Sequence, residues 1–339
     1  MKKPPVRQLL RWLPGLLISA TATFLLFKFI EIDELSKALN KFSFENILII
    51  VLLILIPLIF RGLAWKNLLQ DASFKDSFLM INEGYFLNNL IPRSGEIARV
   101  FFANRISKIS GYHSAVAIIF ERGLDVIIAA SLFLSTISFV IDLEWLQPIA
   151  IILIIIFLFS ILGILVLARN ANKVKAWLEN HQSKFRFVEK TVKPIFINGT
   201  MGISAFANPA NLVKGVFWII CSWVLWVGLL VYALRLINPD APIWWAIFTE
   251  GVLALGIAMP SAPASLGVYE GTMVIALSIL GVERTEALST AIILHSLQIL
   301  ITSSIGIIGL YLQGFSLIEV TNVISNRLKK NSQKQEINE

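Results

Sequence analysis

Apolar residues in this chain come in long unbroken runs, not in a stripe that recurs about every 3.6 residues. No charged side chain interrupts Ile149 to Leu167 or Gly215 to Leu234. A run of that length matches the hydrocarbon thickness of a bilayer. There every backbone N–H and C=O needs a partner within the protein, so the runs predict helices. The short alternating segments of a membrane β-barrel do not occur. Full spans are predicted near residues 12–30, 46–64, 112–140, 149–168, 212–236 and 287–312. Two more apolar segments, near 79–91 and 244–281, are interrupted by polar residues, proline and glycine. The expected fold is all-α: a polytopic helical membrane protein with six full spans and two re-entrant helical hairpins. At the N-terminus, Ala20-Thr21-Ala22 resembles a signal-peptidase site, but the apolar run continues through Phe24, Leu25, Leu26 and Phe27. An uncleaved first span is expected, and a mature terminus at Thr23 would overturn it.

Charge sharpens this picture. Of the 339 residues, 56% are hydrophobic and 15% charged, against about a quarter charged in soluble domains. The net charge of +7 is unevenly placed. With the N-terminus in the cytoplasm, the basic residues inside are Lys2, Lys3, Arg7 and Arg11, then Arg61, Lys66 and Lys75, then Arg93, Arg99, Arg105 and Lys108. The rich stretch from Arg169 to Lys193 and the tail residues Arg327 to Lys334 also fall inside. Only Lys37, Lys41 and Arg284 fall outside, where Glu31, Asp33, Glu34, Asp142, Glu144 and Asp240 gather. This bias predicts a multi-pass plasma-membrane protein with both termini cytoplasmic. It requires each interrupted segment to enter and leave on one side, the first hairpin from the cytoplasm and the second from outside. Residues 1–320 then form one transmembrane domain, with 169–211 a basic cytoplasmic connection and 321–339 a disordered cytoplasmic tail. Within the connection, Val174, Trp177 and Leu178 share one face of an amphipathic helix that suits the inner leaflet.

Cofactor chemistry has little to stand on. Cys221 is the single cysteine, the three histidines form no His-x-x-x-His pair, and no glycine-rich phosphate loop occurs. No cofactor or metal is expected, nothing points to nucleic acid, and no soluble catalytic domain fits between the spans.

The informative residues are those that do not belong in lipid, since ionisable groups at membrane depth are costly and are paired or functional. One group runs Asn82-Glu83, then Asn88-Asn89-Leu90-Ile91-Pro92-Arg93-Ser94-Gly95-Glu96-Ile97-Ala98-Arg99. A second is Glu121, Arg122 and Asp125, whose spacing puts them on one helix face. The third joins Glu250 to Pro260, Pro263, Ser265, Gly267 and Glu270, with His295 on the last span. Proline and glycine free backbone groups that survive at membrane depth only inside protein or beside a wet cavity. The helix resuming after each break would point its positive end at that cavity, with Ser94 or Ser265 as its cap. Arg93 and Arg122 would attract a phosphate while Glu96, Glu121, Asp125 or Glu270 hold them or relay protons. Both breaks run Pro, Ser, Gly, Glu, and Glu96 to Glu121 spans the same 25 residues as Glu270 to His295, a possible inverted repeat.

Asn89-Leu90-Ile91-Pro92 with Gly95-Glu96-Ile97-Ala98-Arg99, Glu121-Arg122-x-x-Asp125, and Pro260-x-x-Pro263 with Gly267-x-x-Glu270 resemble one family. It is the lysylphosphatidylglycerol synthase transmembrane-region family of flippase-like membrane proteins, and the resemblance runs over roughly 12–320. It implies a relative of the flippase half of bifunctional aminoacyl-phosphatidylglycerol proteins. Their cytosolic aminoacyl-transfer domain is not expected here. One departure stands out: many relatives carry Pro-Gly where this chain has Pro263-Ala264, so the turn at Ala264 is expected to avoid conformations that only glycine reaches easily.

The function expected is translocation or binding of an anionic lipid, a phospholipid or polyprenyl-phosphate type, between the broken helices. The competing readings are a membrane-embedded lipid-modifying transferase, and a non-catalytic partner of envelope-lipid enzymes, with homo-oligomerisation open.

Overall fold

A computed structural model describes residues 32–141, 146–181, 193–203, 208–259 and 261–322, with single positions 21, 24, 189 and 206. Among the described residues the secondary structure is helical throughout, without a strand. In chain order the helices are α1 (Ile32–Leu39), α2 (Phe44–Leu69), α3 (Phe74–Leu90), α4 (Gly95–Ser107), α5 (Gly111–Ile137) and α6 (Leu146–Arg169). They continue with α7 (Ala171–Asn180), α8 (Lys193–Ile203), α9 (Pro209–Ile237), α10 (Ile243–Ile257), α11 (Val268–Ile279) and α12 (Arg284–Leu312). Several starts are written locally. Ser43, Ser73 and Ser110 each accept a hydrogen bond from the backbone N–H three residues on, which satisfies a donor with no partner inside the helix. Asn208 caps α9 with Pro209 behind it, where the missing N–H costs nothing.

The segments α1–α5 and α8–α12 pack by the same scheme with roles exchanged. α2 lies against α9, α3 against α12 and α10 against α5, while α1 touches α12 and α8 touches α5. α2 and α9 run antiparallel: Tyr232 Oη donates to Asn46 Oδ1 at 3.0 Å at one end, and Phe60 meets Trp218 at 5.0 Å towards the other. The pairs α3–α4 and α10–α11 form two helical hairpins that occupy opposite ends of this frame. Along α5, the first hairpin covers the N-terminal half, Arg99 meeting Glu121. The second covers the C-terminal half, where Phe248 meets Phe133 and Trp244 meets Phe139. On α12 the order reverses, with Glu270 against His295 and Asn89 against Ser303. Both breaks therefore arrive level with the middles of α5 and α12.

Apolar packing forms two cores, one on each side of that level. One gathers Ile50, Ile54, Leu230, Phe248, Met273 and Leu277. The other gathers Trp65, Leu68, Met80, Phe102, Leu124 and Ile219. Lipid tails are as apolar as leucine, so close approach rather than expulsion from water must hold such helices together. Gly95 shows how close: a Cβ there would stand 2.3 Å from the Gly84 carbonyl oxygen and 2.7 Å from Asn88 Nδ2. Gly95→Ala must push the limbs of the first hairpin apart. It is expected to destabilise by about 1–3 kcal/mol, read as a lower thermal midpoint of the purified protein.

By length and composition α2, α9 and α12 can each cross a membrane. The predicted spans 112–140 and 149–168 correspond to α5 and α6, and the span at 12–30 lies outside the described residues. Two expectations need correction. α2 does not stop at residue 64 but runs to Leu69, so Arg61, counted above with the cytoplasmic cations, lies well within the helix and is 6% exposed. The first hairpin has a full second limb, α4, and Arg99, counted above with the cytoplasmic cations as well as in the first break, is buried. In the basic connection α7 is helical, Val174 and Leu178 are half-buried, and the exposed Trp177 meets His181 at 4.5 Å. Residues 321 and 322 of the tail are helical, and the rest lies outside the described residues.

Candidate functional site

Between the two breaks lies a chamber of about 490 Å³, within the usual range for small-ligand sites. The first hairpin lends it Asn88, Asn89, Pro92, Arg93 and Glu96, and the second Glu250, Ser261, Ala262, Ala264 and Ser265. Arg122, Asp125 and Ala129 of α5 line one wall, with Trp223 and Trp226 of α9 beside them. Leu58 and Arg61 of α2, Tyr85 of α3, Tyr269 of α11, and His295 and Gln298 of α12 complete it.

A charged layer connects these walls. Glu121, 2% exposed, receives Arg99 Nη2 at 2.5 Å and Arg61 Nη1 at 3.4 Å. Asp125 accepts from Arg61 Nη2 at 2.6 Å, from Trp223 Nε1 at 2.9 Å and from Arg122 Nη1 at 3.3 Å. Glu96 lies 3.6 Å from Arg122 Nε, an ion pair too long for a hydrogen bond. Arg61 also donates to Ser222 Oγ at 3.2 Å, and the Arg99 guanidinium sits 4.0 Å from the centre of the Trp65 ring. Arg61, Arg99 and Arg122 are thus matched by Glu96, Glu121 and Asp125. Arg93 and Glu250 stand apart. Arg93, exposed at the tip of the first hairpin with φ 61°, forms no ion pair among the described residues, and Glu250 forms neither ion pair nor hydrogen bond among them.

The expected helix caps are not the ones formed. Ser94 Oγ donates back to the Leu87 carbonyl at 2.8 Å, and it is Asn88 Oδ1 that accepts from Gly95 N at 2.7 Å. Ser265 accepts from Ser261 Oγ, while Glu270 Oε2 accepts from Gly267 N at 2.7 Å. The Gly95 and Gly267 N–H groups at the two breaks are thus already bound within the protein. Ala264 also departs from expectation. It adopts φ 54° and ψ 15°, followed by Ser265 at φ 55°, a left-handed turn without glycine. Each such residue costs about 1–2 kcal/mol relative to right-handed backbone.

Of the residues singled out from sequence, Asn89, Pro92, Arg93, Glu96, Arg122, Asp125, Glu250, Ser265 and His295 line the chamber. Arg99, Glu121 and Glu270 stand behind it and hold the lining residues or their partners. Ser94, Pro263 and Gly267 shape the breaks. Sequence reasoning missed Arg61, Tyr85, Trp223, Trp226 and Gln298. For Arg61 a signal existed: Leu63, Ala64, Trp65, Leu68 and Leu69 continue the apolar pattern past it.

Comparison with known proteins places this architecture among relatives. The family model described as the lysylphosphatidylglycerol synthase TM region matches residues 12–306. A UPF0104 membrane protein of Methanocaldococcus jannaschii is 20% identical over 320 residues, covering 87% of this chain and 93% of that protein. No solved structure matches the chain significantly.

Proposed function

The chain belongs to the lysylphosphatidylglycerol synthase TM-region family, and from that premise we propose that it binds or translocates an anionic membrane lipid whose headgroup enters the chamber. In this reading α2, α5, α6, α9 and α12 span the plasma membrane with the segment at 12–30. The two hairpins enter from opposite faces as an inverted repeat, and both termini are cytoplasmic. One observation carries it: two broken helices meet halfway along the frame around a chamber where Arg93 has no ion-pair partner among the described residues. Irregular backbone at that depth needs a wet or protein-lined space, and a lone guanidinium there favours phosphate. The volume suits a headgroup, leaving acyl chains in the bilayer. Membrane lipids are the partners this requires, and a second copy or an envelope enzyme would add to them without replacing them.

The test is a translocation assay in proteoliposomes. Fluorescent phosphatidylglycerol, phosphatidylethanolamine and a polyprenyl phosphate are offered to wild type and to Arg122→Ala. Wild type is expected to move at least one of them well above protein-free vesicles, and Arg122→Ala to fall at least tenfold. Wild-type rates no higher than those of protein-free vesicles for every lipid would sink the reading.

A further inference from the structure

One group on the chamber wall has no part in the charged layer. His295 Nδ1 lies 2.6 Å from Glu270 Oε1, and the other oxygen of that carboxylate is held by Gly267 N–H. Tyr269 stacks flat on the imidazole, with ring centres 4.1 Å apart and planes 10° from parallel. The ring can neither rotate nor shift without breaking one of these contacts. The residue is 5% exposed, and its other nitrogen, Nε2, has no hydrogen-bond partner among the described residues while the side chain lines the chamber. A carboxylate behind a histidine sets which nitrogen carries the resting proton and stabilises the cation that a second proton creates. Nothing about headgroup binding demands such a unit.

We propose that His295, positioned by Glu270, is a proton-binding site that couples lipid movement to proton uptake from the chamber. This rests on the lipid reading above. Nε2 accepts one proton from hydronium in the chamber, leaving water, to give an imidazolium whose Nδ1–H stays donated to Glu270 Oε1. Breaking the same Nε2–H bond returns the proton to water on the other side. No co-reactant beyond the proton gradient is needed.

The other charges near the site come from several elements. Glu270 and Tyr269 face it from α11, and Glu250 of α10, Arg61 of α2 and Tyr85 of α3 share the chamber. α9 contributes the uncharged Trp226, Gln298 lies one turn on along α12, and the ion pair of Lys41 with Glu286 sits at the far N-terminal end of α12. Placing an imidazolium here opposes Arg61 and favours Glu250, so the headgroup bound at Arg93 and the proton at His295 can sense one another.

The experiment uses the full chain in liposomes carrying fluorescent phosphatidylglycerol, with translocation timed between about pH 5 and 8.5, the range in which imidazole ordinarily titrates. Wild-type rates are expected to change at least tenfold across that range and to respond to an imposed pH gradient. His295→Gln should flatten the profile, and Glu270→Gln should displace it without abolishing transport. The ¹⁵N signals of the three histidines, assigned by difference from His113→Gln and His181→Gln, should show His295 gaining a proton over the same interval. A wild-type profile that His295→Gln leaves intact overturns the coupling and spares the lipid reading. Should His295→Gln not fold, a His295 signal in the wild type that stays constant across the range overturns the coupling by itself, and a titrating signal displaced in Glu270→Gln supports it. If wild type moves no probe lipid faster than protein-free liposomes at any pH, the lipid reading fails and takes the coupling with it.

Discussion

Glu121→Gln is expected to destabilise the purified protein by about 3–5 kcal/mol, the cost of removing one partner from a buried ion pair. Glu121 is 2% exposed and receives both Arg61 and Arg99. Glutamine keeps an acceptor oxygen but removes the charge, so two guanidiniums remain buried with one counter-charge fewer. Arg61 retains Asp125 at 2.6 Å, but among the described residues Arg99 retains no counter-charge, only the glutamine oxygen and the face of Trp65. A cation–π contact contributes about 2 kcal/mol at best when desolvated, too little to replace a carboxylate. The control is Glu286→Gln, which breaks the ion pair with Lys41, whose side chain is 44% exposed. Exposed pairs are worth about 0–1 kcal/mol, so its thermal midpoint should stay close to wild type. A Glu121→Gln midpoint as high as that control would show that the charged layer is not a structural clamp.

That clamp shows where sequence reading stops. Pro92, Gly95, Pro263 and Gly267 punctuate apolar segments, so the hairpin breaks were legible: the cause is local and lies in the residues themselves. The partners of Arg61 are not local. Glu121 and Asp125 sit 60 and 64 positions away and Ser222 sits 161, and a buried arginine reads as the end of a span until its counter-charges are known. The same limit applies to Arg99, which the first break singles out but whose acid, Glu121, lies on the next helix.

Caps failed for a different reason. Ser94 and Ser265 have the right chemistry at about the right place, but a side chain seven residues back, Asn88, reaches Gly95 first. Proximity across a hairpin outcompeted proximity along the chain. The alternation of roles between the two halves shows up in spacing only because both breaks repeat Pro, Ser, Gly, Glu. The reciprocal packing of α3 on α12 and α10 on α5 has no counterpart in any one segment.

Arg93→Ala should do the opposite of Glu121→Gln, weakening the ligand and sparing the fold. Arg93 is exposed, lines the chamber and holds no ion pair among the described residues, so its loss leaves no buried charge without a partner. Stability should stay within about 0.5 kcal/mol, as for surface substitutions away from special features. Among the described residues, its guanidinium is nevertheless the one cation of the chamber that no carboxylate has claimed. A hydrogen bond to a charged group contributes about 1.5–3 kcal/mol, which corresponds to roughly a 10- to 100-fold loss of affinity. Arg93→Lys keeps the charge but not the two-pronged fork that matches phosphate oxygens, and should fall between. The measurement is binding of fluorescent phosphatidylglycerol to the three proteins in detergent, with thermal midpoints taken on the same samples. Unchanged affinity in Arg93→Ala would move the anion-binding role to Arg122, which Glu96 and Asp125 already hold. A headgroup phosphate would then have to compete with those two carboxylates for it, so raising salt should weaken binding less than a free guanidinium would imply.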